Sequence, residues 1–71
     1  MERFGEKLRT LRNRQELSLR ELGDRLDVSH TFVAQMEKGK KIPNVEMVLK
    51  ISRIFNVSTD VLIKDELELE D

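Results

Sequence analysis

The sequence predicts an all-α domain of five short helices, and three observations carry that reading. Apolar residues recur at spacings of three and four, the body offers no strand pattern, and Ser, Asn or Gly marks the boundaries between periodic segments. Its 71 residues make one domain, near the lower end of what a single core supports unaided. Cys is absent, which excludes disulfides and thiolate metal sites, and a single His argues against a metal cluster, so no cofactor is expected. There is neither a bilayer-length apolar run nor a signal-peptide pattern, and a cytoplasmic domain is the expectation.

Residues 2–15 predict a charged amphipathic helix. Phe4, Leu8 and Leu11 form its apolar stripe, and Gly5 reads as a weak point marking a frayed first turn. A polar link, 13–16, leads to Leu17, which returns to the core. Ser18 and Glu21 form an S-x-x-E capping box for a second helix, 19–26, with Leu22 and Leu26 on its buried face. Gly23 inside that helix costs roughly 1 kcal/mol against Ala, which points to close packing with a crossing helix. Asp27 occupies a turn that calls for a left-handed residue. Ser29 caps a third helix, 30–38, with Val33 and Met36 inward and His30, Thr31, Gln35 and Lys38 outward. It stops at Gly39.

Lys40 and Lys41 make a basic loop, with Ile42 expected to fold inward before Pro43. Asn44 caps a fourth helix, 45–55, whose inner positions are Val48, Ile51, Ser52 and Phe55. Asn56 is a left-handed stop. Ser58 caps a fifth helix, 59–63, with Val57 and Leu62 closing the core. Met47, Leu49 and Ile54 cannot all share the inner stripe of the fourth helix. The domain is placed at 1–64, and 65–71 is an acidic tail expected to be frayed, a short strand or the start of a linker.

Two short helices joined by a tight turn, the second with a polar outer face, describe a helix-turn-helix unit. The formal charge of −1 looks wrong for a DNA-binding protein, but five of the fourteen acids lie in the last seven residues. Residues 1–64 carry thirteen Lys and Arg against nine acids, a net +4. Local field matters more than the total, so DNA remains compatible and non-specific affinity should be modest.

The motifs F-x-x-x-L-x-x-L, L-S-x-x-E-L-G-x-x-L-x-V-S, V-x-x-M-E-x-G-x-x-x-P and V-S-x-D-x-L follow one another over residues 4–63. In that order the chain resembles the phage-repressor-like helix-turn-helix proteins, the Cro/C1 or xenobiotic-response-element class. The resemblance implies a compact five-helix, lambda-repressor-like fold with residues 29–38 in the major groove of double-stranded DNA. His30, Thr31 and Gln35 are then the base-reading candidates. Gln bonds adenine bidentately, Thr offers a hydroxyl and a methyl, and His offers guanine a donor or acceptor. Phe32 divides between covering the core edge and touching a thymine methyl. Ser18, Arg20, Lys38, Lys40, Lys41 and Asn44 are expected at phosphates. The resemblance also implies that Arg12 pairs with Glu37, bracing the reader while staying close to a phosphate. Two positions depart from the family: Leu19 stands where Gln is common, and Asp27 where Gly is usual.

The expected function is a sequence-specific transcriptional regulator, a repressor by preference, acting as a homodimer on an inverted repeat. Met47, Leu49, Ile54, Val61 and Ile63 are the candidates for the dimer interface. The alternative is a protein-binding module such as an antitoxin or adaptor, which Leu19 and the acidic tail favour; a partner protein or a C-terminal sensor domain would then complete it. An enzyme has almost no support, because His30 has no evident nucleophile partner and neither a P-loop nor a metal motif is present.

Overall fold

The computed structural model describes residues 1–70, in which the chain forms five helices: α1 (Phe4–Arg14), α2 (Leu19–Leu26), α3 (His30–Glu37), α4 (Val45–Phe55) and α5 (Thr59–Ile63). No strand occurs among the described residues. The four helices α2 to α5 begin with a local side-chain cap. Ser18, Ser29, Asn44 and Ser58 each accept the backbone N–H three residues on, satisfying a donor the helix leaves free. At Ser18 the full capping box forms, with Glu21 Oε1 accepting from the Ser18 N–H at 2.9 Å.

Three helix ends turn through left-handed residues other than Gly, and α3 ends on Gly39 at φ 77°. Asp27 (φ 61°) and Asn56 (φ 53°) sit where the sequence places such turns, and Glu16 (φ 55°) adds an unexpected third. At Glu16 the Leu17 N–H reaches back to Arg12 O at 3.1 Å and the Glu16 N–H to Asn13 O at 3.0 Å. That is a helix-ending pattern usually supplied with Gly.

The core gathers Phe4, Leu8 and Leu11 of α1, Leu17, Leu22 and Leu26, Val33 and Met36 of α3, Val48, Ile51 and Phe55 of α4, and Leu62. Helices α2 and α3 make the most intimate helix pair. A Cβ on Gly23 would lie 2.7 Å from Val28 O, so close backbone approach requires the Gly there.

Three expectations are corrected. Gly5 is buried rather than frayed, and a Cβ there would lie 2.4 Å from Glu37 O, so α1 rests directly on the end of α3. Ile42 is 79% exposed; the chain buries Pro43 instead, which turns its neighbour outward. The acidic tail is docked on α1 through residue 70 rather than frayed, because α1 supplies donors along its length. Lys7, Arg3 and Arg14 reach the carbonyls of Leu67, Asp65 and Glu70, and Leu69 packs against the core. Asp71, the end of that tail, lies outside the described residues.

Candidate nucleic-acid interface

Helix α3 presents two faces fixed by its 3.6-residue period. Val33, Met36 and Glu37 are buried beneath it. His30 and Thr31 are exposed, Gln35 is half-buried, and the side chains of all three make no hydrogen bond or ion pair within the described chain. Their donors and acceptors are therefore uncommitted. Ala34, four residues from His30 and three from Thr31, completes this outer arc. The sequence reading missed it because Ala carries no polar group, although its methyl suits a thymine methyl. Phe32 is partly buried against the core, so it covers the core edge with only part of its ring open.

Polar groups flank this arc. Ser18 Oγ accepts the Glu21 N–H at 3.0 Å and keeps its own proton for an external acceptor. The N–H groups of Leu19 and Arg20, in the first turn of α2, are free toward an anion. The Arg20 side chain is exposed. Asn44 Oδ1 caps α4 through the Met47 N–H at 2.8 Å, leaving its amide NH2 to donate. Lys38, Lys40 and Lys41 are exposed, and the backbone N–H groups of Lys40 and Lys41 both bond Gln35 O, at 2.9 and 3.3 Å. That bifurcated contact ties the basic loop to the end of α3.

Beneath α3 lies an ionic brace. The Glu37 side chain is only 2% exposed and receives Arg12 Nε at 2.7 Å and Arg12 Nη2 at 3.1 Å. Arg9 Nε approaches the same carboxylate at 3.3 Å. Arg12 Nη1 also donates to Leu17 O at 2.9 Å, so one guanidinium joins α1, the entry to α2 and the end of α3. The hydrogen bonds to Glu37 hold the Arg12 guanidinium above its ordinary pKa. Arg9 escaped the sequence reading; its signal was its place one turn after Gly5 and three before Arg12.

The interface candidates do not form one patch. Leu49 and Ile63 line a shallow groove with Met1, Pro43 and Val45, whereas Val61 lines a separate hollow with Leu11, Arg14 and Phe55. Met47 and Ile54 pack partly against the core. Leu19, the apolar departure in α2, does the same. The most exposed large apolar residues described are Ile42 and Val45, at 79% and 77%.

Comparison with known proteins agrees with this architecture. The helix-turn-helix family profile matches residues 8–62. The HTH-type transcriptional activator BcrR of Enterococcus faecalis is 40% identical over 63 residues, covering 89% of this chain, which spans only 31% of that protein's length. An uncharacterized HTH-type transcriptional regulator of Archaeoglobus fulgidus is 33% identical, with 89% of this chain and 90% of its own length matched. Among solved structures, the P22 c2 repressor in complex with a synthetic operator superposes with a TM-score of 0.82 at 30% identity, covering 89% of this chain and 96% of that one. With five helices in this order, a capped α2–turn–α3 unit and these relatives, the chain belongs to the phage-repressor-like branch of the helix-turn-helix family.

Proposed function

We propose that the chain is the DNA-reading domain of a transcriptional regulator and that α3 enters the major groove. The observation that carries this is the outer arc of α3, where the side chains of His30, Thr31 and Gln35 have no hydrogen-bond or ion-pair partner among the described residues and a basic loop is bonded to the same helix. The P22 relative, 30% identical, is seen on an operator, and that supports the same orientation here. An eight-residue helix is roughly 12 Å long and faces about four base pairs. His30, Thr31 and Gln35 then read base edges, Ala34 and the open edge of Phe32 offer apolar contact, and Ser18, Arg20, Lys38, Lys40, Lys41 and Asn44 hold phosphates. Arg12 braces Glu37.

So short a reader specifies too little sequence alone, and the molecule measures only 28 Å along its longest axis. Half-sites one turn apart lie about 34 Å from centre to centre, so two copies are required to occupy both. The groove of Val45, Leu49 and Ile63, with Ile42 beside it, is the surface we assign to that contact. Repression is the expected outcome. The protein-binding alternative is the less favoured reading, because Leu19 packs partly against the core and Asp65 and Glu68 of the acidic tail are paired with Glu2 and Arg3 at the start of α1.

Selection from random duplexes tests the reading. A pair of short inverted half-sites should be enriched, and Gln35→Ala should relax the preference at one position of each. Lys40→Ala should weaken all sequences alike. Enrichment of no sequence, with salt-independent binding, would remove the proposal.

A further inference from the structure

Among the five described helices, α1 alone has an N-cap side chain that makes no capping bond. Its cap comes from 62 residues away. Asp65 accepts the Glu2 N–H through Oδ2 and the Arg3 N–H through Oδ1, both at 2.9 Å. The Met1 amino group approaches the same Oδ2 at 3.4 Å. Arg3 returns the contact, donating Nη1 to Asp65 O at 2.9 Å and forking onto Glu68 at 2.7 and 2.9 Å. Deeper in, the Lys7 side chain is 1% exposed. Its ammonium meets the carbonyls of Val61 (2.7 Å), Lys64 (2.9 Å) and Leu67 (2.7 Å). Three donors thus find three acceptors: Val61 O at the end of α5, where helical carbonyls lack intrahelical partners, Lys64 O, which also accepts the Leu67 N–H at 3.1 Å, and Leu67 O. Arg14 closes the row on Glu70 O at 2.6 Å.

The other side of α1 bears on the reader. Gly5 lies against the Met36 and Glu37 carbonyls, and Arg9 and Arg12 hold the Glu37 side chain. Lys7 and Arg14 each stand two positions after Gly5 and Arg12, roughly 200° around the helix. One face of α1 therefore grips the segment after α5 and the opposite face grips the end of α3.

We infer that residues 64–70 are a strap that caps α1 and, through it, fixes the C-terminal end of the recognition helix. Asp65 is its positioning residue and Lys7 its anchor. The contact lies across α1 from α3, so the strap touches no candidate DNA-contacting side chain and acts only by holding α1 in place. Releasing Asp65 frays the first turn of α1, frees the backbone that carries Gly5, and lets the last turn of α3 move. Its consequence for DNA rests on the function proposed above.

The test compares Asp65→Ala with Glu66→Ala in the 71-residue chain. Both remove one negative charge from the same segment, but Glu66 is exposed and unpaired among the described residues. Hydrogen exchange of the free protein should speed up about fivefold at the amides of Lys38, Gly39 and Lys40 in Asp65→Ala, with no change in Glu66→Ala. Equal exchange there in the two variants would overturn the strap. So would uniform acceleration reaching Ile51 and Leu62, since that makes Asp65 a general stabiliser. Against the selected duplex, Asp65→Ala should bind about fivefold more weakly, whereas loss of an acid acting through charge alone would strengthen binding. A native chain that binds no duplex removes the DNA reading, and the exchange result still decides the strap.

Discussion

Glu37 is the residue that ties the end of α3 to α1 most directly. Its carboxylate is buried against two arginines, and Arg12 is itself only 14% exposed along its side chain. Exposed pairs contribute ~0–1 kcal/mol, but removing one partner of a buried pair leaves the other charge without compensation. Glu37→Ala should therefore destabilise the chain by about 3 kcal/mol, as read by urea unfolding, while Arg9→Ala, which removes the longer and more exposed contact, should cost less than 1 kcal/mol. Equal losses in the two variants would show that the carboxylate does not depend on Arg12. The Arg12–Glu37 pair was named from resemblance, since their 25-residue separation leaves no local spacing to read. Glu16 was missed for a related reason. Its left-handed backbone is demanded by burial of Leu17 immediately after α1, and nothing in the Glu side chain advertises it. Asp27 and Asn56 were legible because those side chains tolerate the conformation.

At the scale of the elements, α2 to α5 were readable because each carries its own cap within three residues. The start of α1 was not, because its cap is Asp65, and a sequence window cannot see a partner that only the fold delivers. The same blindness made Gly5 look like a weak point and 65–71 look like solvated charge. Asp65 is held below its ordinary pKa of 3.8 chiefly by the Arg3 N–H, with the Glu2 N–H and the Met1 amino group adding to it. Arg3 hydrogen bonds likewise hold Glu68 below 4.5; Arg3 also pairs with Glu6. A carboxylate depressed on folding stabilises fully above its unfolded pKa and loses that contribution as pH falls through the lower folded value. The strap should thus persist through pH 4 and release on further acidification. The amide resonances of Glu2 and Arg3 should shift together in an NMR titration, with a midpoint below 3.8. A midpoint above that value would show that Asp65 does not cap α1.

For the whole molecule, docking the tail changes what the net charge means. Asp65 and Glu68 are spent on Arg3 and the N-terminus, on the side of α1 away from α3, so they do not face the candidate DNA surface. The Lys40 and Lys41 side chains of the basic loop have no ion-pair partner among the described residues and stand beside α3. Next to that loop stands the apolar surface that the sequence reading located only in part. Leu49 and Ile63 were anticipated, Val45 and Ile42 were not, because a residue following a helix cap or preceding a Pro gives no sign of which way it will turn. In an isologous contact each residue appears twice about the two-fold axis, so a charge introduced once meets its own copy. Leu49→Glu, at a position 40% exposed in the free chain, should leave folding within about 0.5 kcal/mol of the native value. Binding to a duplex with a single half-site should be unchanged, since α3 and the Lys loop are untouched. Cooperative binding to the paired sites should vanish, and sedimentation with the full operator should show independent occupancy. Retention of cooperativity in both Leu49→Glu and Val45→Glu would overturn the assignment of the proposed contact between copies to this surface.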